Sequence, residues 1–133
     1  MPLVLDPSAI LALAFDDEVA ELAEEVLEKA AADGAVVPAI FWFEVRNVLI
    51  VNERRGRLSA LETSTFLASL EDLPIEVSPL PPEAPVLALS RQHRLTVYDA
   101  AYLELAHRLG APLATFDGEL RAAAVSLSLP LFP

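Results

Sequence analysis

The chain lacks several features on which common functional classes depend. Its 133 residues include no cysteine, which excludes disulfides, thiolate metal ligands and cysteine nucleophiles, and which fits a reducing compartment. It has only four glycines, each near a predicted helix end, so a glycine-rich phosphate loop and P-loop nucleotide chemistry are excluded. None of its serines lies in a nucleophile elbow, so the motif of serine hydrolases is missing as well.

Positive charge is scarce. Nine Lys and Arg face twenty Asp and Glu, and the resulting net charge of −11 is unusual for a protein that coats nucleic acid with a basic patch. We therefore expect any nucleic-acid contact to be local or mediated by a metal ion. The residues available to bind phosphate are Arg46, Arg54, Arg55, Arg57, Arg91, Arg94, Arg108 and Arg121.

Long hydrophobic runs are also missing. No apolar segment approaches the roughly 20 residues that a membrane-spanning helix needs. The short apolar run at residues 10–15 has no Lys or Arg before it, and Asp6 interrupts the stretch, so we do not expect a signal sequence. The length fits one domain over residues 1–133, and we expect a cytoplasmic protein with no membrane contact.

Short apolar runs alternate with helical segments along the chain. The pattern predicts strands at residues 3–5, 35–37, 75–77 and 113–116, with an edge strand at 129–132. It predicts helices at residues 8–15, 18–32, 39–55, 59–73, 96–110 and 119–127, and another that ends at 93. Ser59 with Glu62, and Thr96 with Asp99, have the spacing of capping boxes. This alternation predicts an α/β fold with a parallel sheet and helices on both faces.

Four carboxylates lie where buried segments meet turns or helices. Asp6 ends the first strand, Asp117 ends the strand at 113–116, Asp99 lies at the start of a helix, and Glu44 lies within a hydrophobic helix. Because the carboxyl ends of parallel strands open into one crevice, acids distant in sequence can converge there. Taken singly, three have structural explanations, since Asp6 suits a turn, Asp117 suits a helix cap and Asp99 suits a capping box.

Glu44 is harder to explain structurally. Its neighbours on the helical wheel are apolar and include Ile40, Phe41 and Val48, while the nearby arginines lie on other faces. An unpaired buried charge costs on the order of several kcal/mol. A bound cation is the better account of this acid.

Clustered carboxylates are suited to Mg²⁺ or Mn²⁺. These ions prefer oxygen ligands and keep several waters, and a bound ion can activate a water and neutralise charge on a phosphoryl group. Ser8 and Thr115 are candidates to position a ligand or that water, although, taken singly, an N-cap for Ser8 and a strand position for Thr115 are the better explanations. His93 and His107 lie near predicted helix C-termini, where a surface position is usual.

Four segments carry a family resemblance: LDPS at residues 5–8, FEVRN at 43–47, LTVYDAAY at 95–102 and LATFD at 113–117. In order and spacing they resemble the motifs of PIN-domain ribonucleases, and most closely the VapC toxins of prokaryotic toxin–antitoxin pairs. The resemblance implies a three-layer α/β/α sandwich with a central, mainly parallel sheet. It also implies a Mg²⁺- or Mn²⁺-dependent endoribonuclease that acts through a metal-activated water, as the toxin of a type II pair.

The resemblance further assigns residues and partners. It places Asp6, Glu44, Asp99 and Asp117 in an acidic metal-binding and catalytic quartet, with Ser8, Asn47 and Thr115 in supporting positions. It implies an RNA substrate, a homodimer and inhibition by a cognate VapB-type antitoxin. One departure concerns the final strand, because residues 125–128 read VSLS where similar proteins often carry glycine.

Other functions stay open at this point. A metal-dependent phosphatase or DNA nuclease would use a similar acidic site, and a catalytically silent PIN-like binding module would keep only the fold. A phospho-accepting receiver domain needs a lysine beside its acids. The single lysine, Lys29, lies on an amphipathic helix, which argues against that function.

The helix at residues 39–55 is apolar on two sides. Trp42 and Leu49 lie opposite Glu44 on its wheel, which predicts a homodimer or antitoxin contact there. The alternative is that the helix around residues 61–70 covers this side within the same chain.

Overall fold

The computed structural model describes residues 1–15 and 19–133. Its strands are β1 (Leu3–Leu5), β2 (Ala35–Pro38), β3 (Ile75–Ser78) and β4 (Leu113–Ala114). Its helices within these ranges are α1 (Ser8–Phe15), α2 (Ala20–Asp33), α3 (Ile40–Arg54), α4 (Ala60–Glu71), α5 (Glu83–His93), α6 (Val97–Leu109) and α7 (Gly118–Ser126). The predicted start of the second helix at residue 18 lies outside the described residues. None of the helices described is long and apolar enough to cross a membrane.

The four strands form one sheet in the order β3-β2-β1-β4, and each neighbouring pair is parallel. All three residues of β1 are fully buried. Because successive strand residues point to opposite faces, this burial means that both faces of the sheet are covered. Among the covering helices, α2 and α6 each contact β1. The predicted α/β/α sandwich is confirmed.

The order of the strands creates a crevice beside β1. From β1 the chain builds β2 and then β3 on one side, and it returns to the other side for β4. Such a reversal is the topological switch point at which open α/β sheets bind ligands. The Asp6 N–H donates to the Ala114 carbonyl at 3.0 Å, so the carboxyl ends of β1 and β4 lie side by side. The predicted convergence of acids after these two strands therefore has a structural basis.

The predicted edge strand at residues 129–132 is reduced to one parallel bridge, between Leu131 and Leu113. Leu113 donates its N–H to the Pro130 carbonyl at 2.9 Å and accepts one from Phe132 at 3.0 Å. Proline has no N–H to give to a ladder, so Pro130 and Pro133 on either side of the bridge limit its extension. The segment therefore adds a contact at the edge of β4 and falls short of a full strand.

Side-chain caps fix where three helices begin. Ser59 and Glu62 form the predicted capping box at α4. The Thr96 hydroxyl accepts the Asp99 N–H at the start of α6. The Asp117 carboxylate accepts the Leu120 N–H at the start of α7. The local patterns in the sequence thus identified these helix starts correctly.

The outward face predicted for α3 is partly wrong. Leu49 is fully buried and belongs to the core, whereas Trp42, two turns earlier on the same side, is 52% exposed. The reason is that α4 packs against α3, so this side is covered within the chain. On α3, Trp42, Phe43 and Ile50 keep an exposed apolar surface.

Leu49→Ala should lower the free energy of unfolding by about 2 to 5 kcal/mol, because it leaves a cavity in the core. Its neighbour Ile50 is 40% exposed, and Ile50→Ala should cost less than about 1 kcal/mol. Urea unfolding measures both values. Equal losses in the two variants would show that Leu49 is not a core residue.

Candidate active site

Asp6 is the most buried of the four acids, with 6% of its surface exposed at the carboxyl end of β1. Its Oδ2 accepts hydrogen bonds from the Ser8 N–H at 3.2 Å, from the Ser8 hydroxyl, and from the Thr115 hydroxyl at 2.9 Å. The same hydroxyls accept the N–H groups of Phe116 and Asp117, at 2.9 and 3.1 Å respectively. A hydroxyl has one proton to donate, so each is oriented with that proton on Asp6.

The environment of Asp6 has opposing effects on its pKa. Burial raises the pKa of Asp6, and the charge of Asp117 raises it further, while the hydrogen bonds from Ser8 and Thr115 lower it. Burial is the largest of these effects, so the net shift is upward. In the described part of the chain, these hydrogen bonds all end on Oδ2, which leaves the lone pairs of Oδ1 for a further ligand.

Asp99 lies in the first turn of α6 and is half-buried. Burial raises its pKa, and the negative charges of Asp6, Asp117 and Glu119 raise it further. Asp99 therefore lies within electrostatic range of acids at the end of β1 and at the start of α7. Glu119 is an additional acid beside the site that the sequence analysis did not identify, although its place two residues after Asp117 was a usable signal.

Glu44 enters the same crevice from α3. Its Oε1 accepts a hydrogen bond of 2.6 Å from the Tyr102 hydroxyl. Burial raises the pKa of Glu44, Tyr102 lowers it, and the charges of Asp6 and Asp99 raise it. The pKa of the Tyr102 hydroxyl is itself raised by burial and by these acids, so it remains a proton donor.

Tyr102 is the principal site residue that sequence reasoning missed. The burial of Glu44 was predicted, but its explanation by a cation alone overlooked this neutral donor. A signal was available, because Tyr102 follows Asp99 by three residues and therefore shares its face of α6.

Asp117 is a helix cap, which is the structural explanation that its sequence position suggested. Its Oδ1 accepts the Leu120 N–H at 2.9 Å and so caps α7, while its charge still acts on Asp6 and Asp99. Arg121, one of the predicted phosphate binders, instead donates to the Thr115 carbonyl at 2.8 Å. The start of α7 thus holds the end of β4 in place.

Asn47 lies on the other side of the crevice. It is exposed on α3 and lines an open cleft of about 340 Å³ together with Ile40, Phe43, Glu44 and Tyr98. The structure therefore joins Asp6, Ser8, Thr115 and Asp117 by hydrogen bonds. It places Glu44 and Asp99 within their electrostatic reach, and it puts Asn47 beside Glu44.

A larger cavity lies elsewhere. It measures about 450 Å³ and lies between α1, α2 and α4, where its lining is mainly apolar and includes Ile10, Leu27 and Phe66. The cleft that contains Glu44 and Asn47 is smaller and more open to solvent than this cavity.

The donor set of the crevice fits a hard cation. Among residues 1–15 and 19–133, no three His, Asp or Glu side chains form a group that would hold a metal by protein ligands alone. Mg²⁺ does not require such a group of three, because it is commonly held by one or two carboxylates and keeps waters at its other coordination positions. Asp6, through the Oδ1 that Ser8 and Thr115 leave free, and Asp99 could supply these carboxylates, as could Glu44.

Comparison with known proteins gives consistent matches. The PIN domain family model matches residues 3–126. The chain is 37% identical over 134 aligned residues to ribonuclease VapC3 of Pyrobaculum aerophilum, covering 98% of this chain and 100% of that protein. Its fold is similar to the crystal structure of PAE2754 from the same organism, with a TM-score of 0.68 and 26% identity over 92% of this chain and 86% of that one.

Tyr102→Phe should raise the pKa of Glu44 further in the metal-free protein, because the hydrogen bond it removes stabilises the carboxylate. The folded state then favours the protonated acid more strongly than the unfolded chain does. Folding stability should therefore fall more steeply than in the unmodified protein as the pH rises from 4.5, the ordinary pKa of Glu44. We expect a loss of about 1 kcal/mol at neutral pH, since Glu44 is only half-buried.

NMR titration of the carboxyl groups and unfolding at several pH values measure these effects. Tyr98→Phe is the matched control, because Tyr98 is 57% exposed. A pKa of Glu44 that is the same in both variants would show that the Tyr102 bond does not act on it.

Proposed function

This chain belongs to the PIN-domain family, and we propose that it is a Mg²⁺- or Mn²⁺-dependent endoribonuclease, the toxin of a type II toxin–antitoxin pair. The observation that carries the proposal is the buried Asp6 carboxylate, held by two hydroxyls at the switch point with the charges of Glu44 and Asp99 beside it. Perturbed acids grouped in a crevice are typical of functional sites. The likeness to ribonuclease VapC3 over nearly the whole chain supports the choice of RNA.

The side chains have distinct roles in this proposal. Ser8 and Thr115 hold Asp6 through its Oδ2, and within the described residues its Oδ1 accepts no side-chain hydrogen bond from them. Asp99 is aimed by the first turn of α6, and Tyr102 fixes Glu44 with its hydroxyl. When bound, Mg²⁺ or Mn²⁺ lowers the pKa of an attacking water and offsets charge on the phosphodiester.

The proposed partners follow from the VapC likeness. RNA is the substrate and a VapB-type antitoxin is the inhibitor. A homodimer remains a prediction. The Leu49 part of its expected surface is buried in the core, so a contact through α3 would use exposed residues such as Trp42 and Ile50.

The alternatives are weaker on specific grounds. Lys29 pairs with Asp33 on α2 at 2.7 Å, so it is engaged away from the acids that a receiver domain would need it to join. A silent binding module would have no need to keep repelling acids in a crevice. A DNA nuclease or phosphatase is separated from a ribonuclease by assays on RNA, DNA and a phosphomonoester, and a preference for either of the latter two would overturn the RNA assignment.

Asp6→Asn, Glu44→Gln, Asp99→Asn and Asp117→Asn should each lose metal-dependent RNA cleavage while staying folded, because the amide keeps the shape of the acid and removes its charge. For Asp6 and Asp99 we expect turnover to fall by about 100-fold or more, equivalent to about 2.7 kcal/mol. Asp117→Asn should have the smallest effect, since its Oδ1 is already bound to the Leu120 N–H.

The cleavage assay uses Glu25→Gln as control, an exposed acid on α2. Circular dichroism verifies folding of every variant. Ribonuclease activity that survives Asp6→Asn and Asp99→Asn, or that persists in excess EDTA, would contradict the proposed function.

Mg²⁺ or Mn²⁺ should raise the melting temperature, and the effect should need the acids. A cation bound only by the folded state, at about 100 times its dissociation constant, contributes about 2.7 kcal/mol, which is roughly 10 °C for a domain of this size. Asp99→Asn should instead be more stable than the unmodified protein without metal, because a repelling charge is gone, and should show little metal shift. The same shift in Asp99→Asn as in Glu25→Gln would show that metal binds elsewhere.

A further inference from the structure

We propose that the cleft lined by Ile40, Phe43, Glu44, Asn47 and Tyr98, here called the aromatic cleft, binds one unpaired base of a single-stranded RNA. The base would stack on Phe43 and Tyr98 and meet the Asn47 amide with its edge. This inference rests on the proposed function and deepens it, because it states which residues beside the acids seat the RNA.

The aromatic cleft adjoins the proposed catalytic acids on two separate elements. Phe43 directly precedes Glu44 on α3, and Tyr98 directly precedes Asp99 on α6. Glu44 is itself part of the cleft wall. A base held there would place its own backbone phosphate beside the acids.

The two aromatic rings are unusually exposed for side chains of their size. Phe43 is 63% exposed and Tyr98 is 57% exposed, and both line the same cleft of about 340 Å³. Exposed aromatics that converge on a cleft with a few polar groups are the usual form of a ligand site. The flat faces of these rings suit a flat ligand.

Phe43 is also held in place. Its ring meets the Trp42 ring edge to face at a centroid distance of 5.0 Å. The Arg46 guanidinium lies 4.0 Å from the centroid of the Trp42 ring and donates to the Trp42 carbonyl at 3.1 Å. Arg46 and Trp42 thus support Phe43 from behind, which lowers the entropy that a stacked ligand would cost.

The charge of the chain favours stacking over phosphate contacts. With a net charge of −11, long stretches of RNA backbone would be repelled, whereas stacking acts on any base and does not depend on charge. Proteins recognise unpaired bases by stacking on aromatic rings and by hydrogen bonds to base edges, and Asn side chains make such bonds. Double-stranded RNA presents no free base face and would not fit.

A second copy of the chain is the competing occupant. It is disfavoured because a protein surface over the aromatic cleft would desolvate the half-buried Glu44 carboxylate without supplying a cation. An RNA base would cover less of this surface than a protein, and the lining of the cleft does not include Asp6 or Asp99.

The test measures binding of a labelled single-stranded oligoribonucleotide of about 12 nucleotides, by fluorescence anisotropy, to the Asp6→Asn protein so that cleavage does not interfere. Phe43→Leu and Tyr98→Leu in this background should each weaken binding about 5- to 100-fold, the range of one lost base stack. Leu80→Ala, at an 88% exposed loop residue outside the cleft, should leave binding unchanged.

A second arm pairs the protein changes with changes in the RNA. One abasic nucleotide is moved along the oligoribonucleotide, and at one position it should weaken binding to the parent about as much as Phe43→Leu does. In the Phe43→Leu protein the same abasic site should weaken binding only slightly further, because the ring on which that base stacks is already lost. Stacking also predicts that the Phe43 effect persists at high salt.

Three results would overturn the inference: no RNA binding by the parent, equal binding by the Phe43→Leu and Tyr98→Leu proteins, or losses that add fully in the abasic test. Light scattering of each variant identifies a protein interface, since a change from dimer to monomer with unchanged RNA binding would assign the cleft to a second copy. Failure of the proposed function gives a different result, namely a protein with Asp6 intact that binds RNA through Phe43 and Tyr98 but does not cleave it with Mg²⁺ or Mn²⁺.

Discussion

The burial of the Asp6 carboxylate is the constraint on which the rest of the site depends. An ionised acid at that depth needs hydrogen bonds, and Ser8 and Thr115 supply them from the two segments that follow β1 and β4. The same hydroxyls accept backbone N–H groups at the start of the last helical segment. One carboxylate therefore fixes how β1, α1 and the end of β4 meet, and the positions of the other acids follow from elements anchored to this centre.

Local patterns were sufficient for much of the fold and for the identity of the acids. Buried runs of three or four residues, the Ser59 and Glu62 box, and the Thr96 and Asp117 caps depend on neighbours within a few positions, so their signals are complete in the sequence. Asp6 was recognisable because it ends a buried strand in an alternating α/β pattern, where chain direction alone points it to the crevice.

What the sequence did not supply depends on contacts between distant segments. The Tyr102 bond to Glu44 joins residues 58 positions apart, so helical periodicity showed that Glu44 was buried but not which group satisfied it. Leu49 was misplaced because its exposure is decided by the packing of α4 and not by its own helix. Arg121 was counted among the arginines available to bind phosphate, because its hydrogen bond to the Thr115 carbonyl forms only when α7 packs against the end of β4.

The separation between Asp6 and Thr115 has a consequence for synthesis of the protein. The hydrogen bond between them spans 109 positions, and β1 acquires its β4 neighbour only when the last part of the chain arrives. Contacts between residues so distant in sequence form late in folding, because closing the long loop between them has an entropic cost. A partly translated chain therefore contains Asp6, Glu44 and even Asp99 without the hydroxyl and strand that orient the first of them. The orientation of Asp6 is therefore completed only once β4 and Thr115 have joined β1.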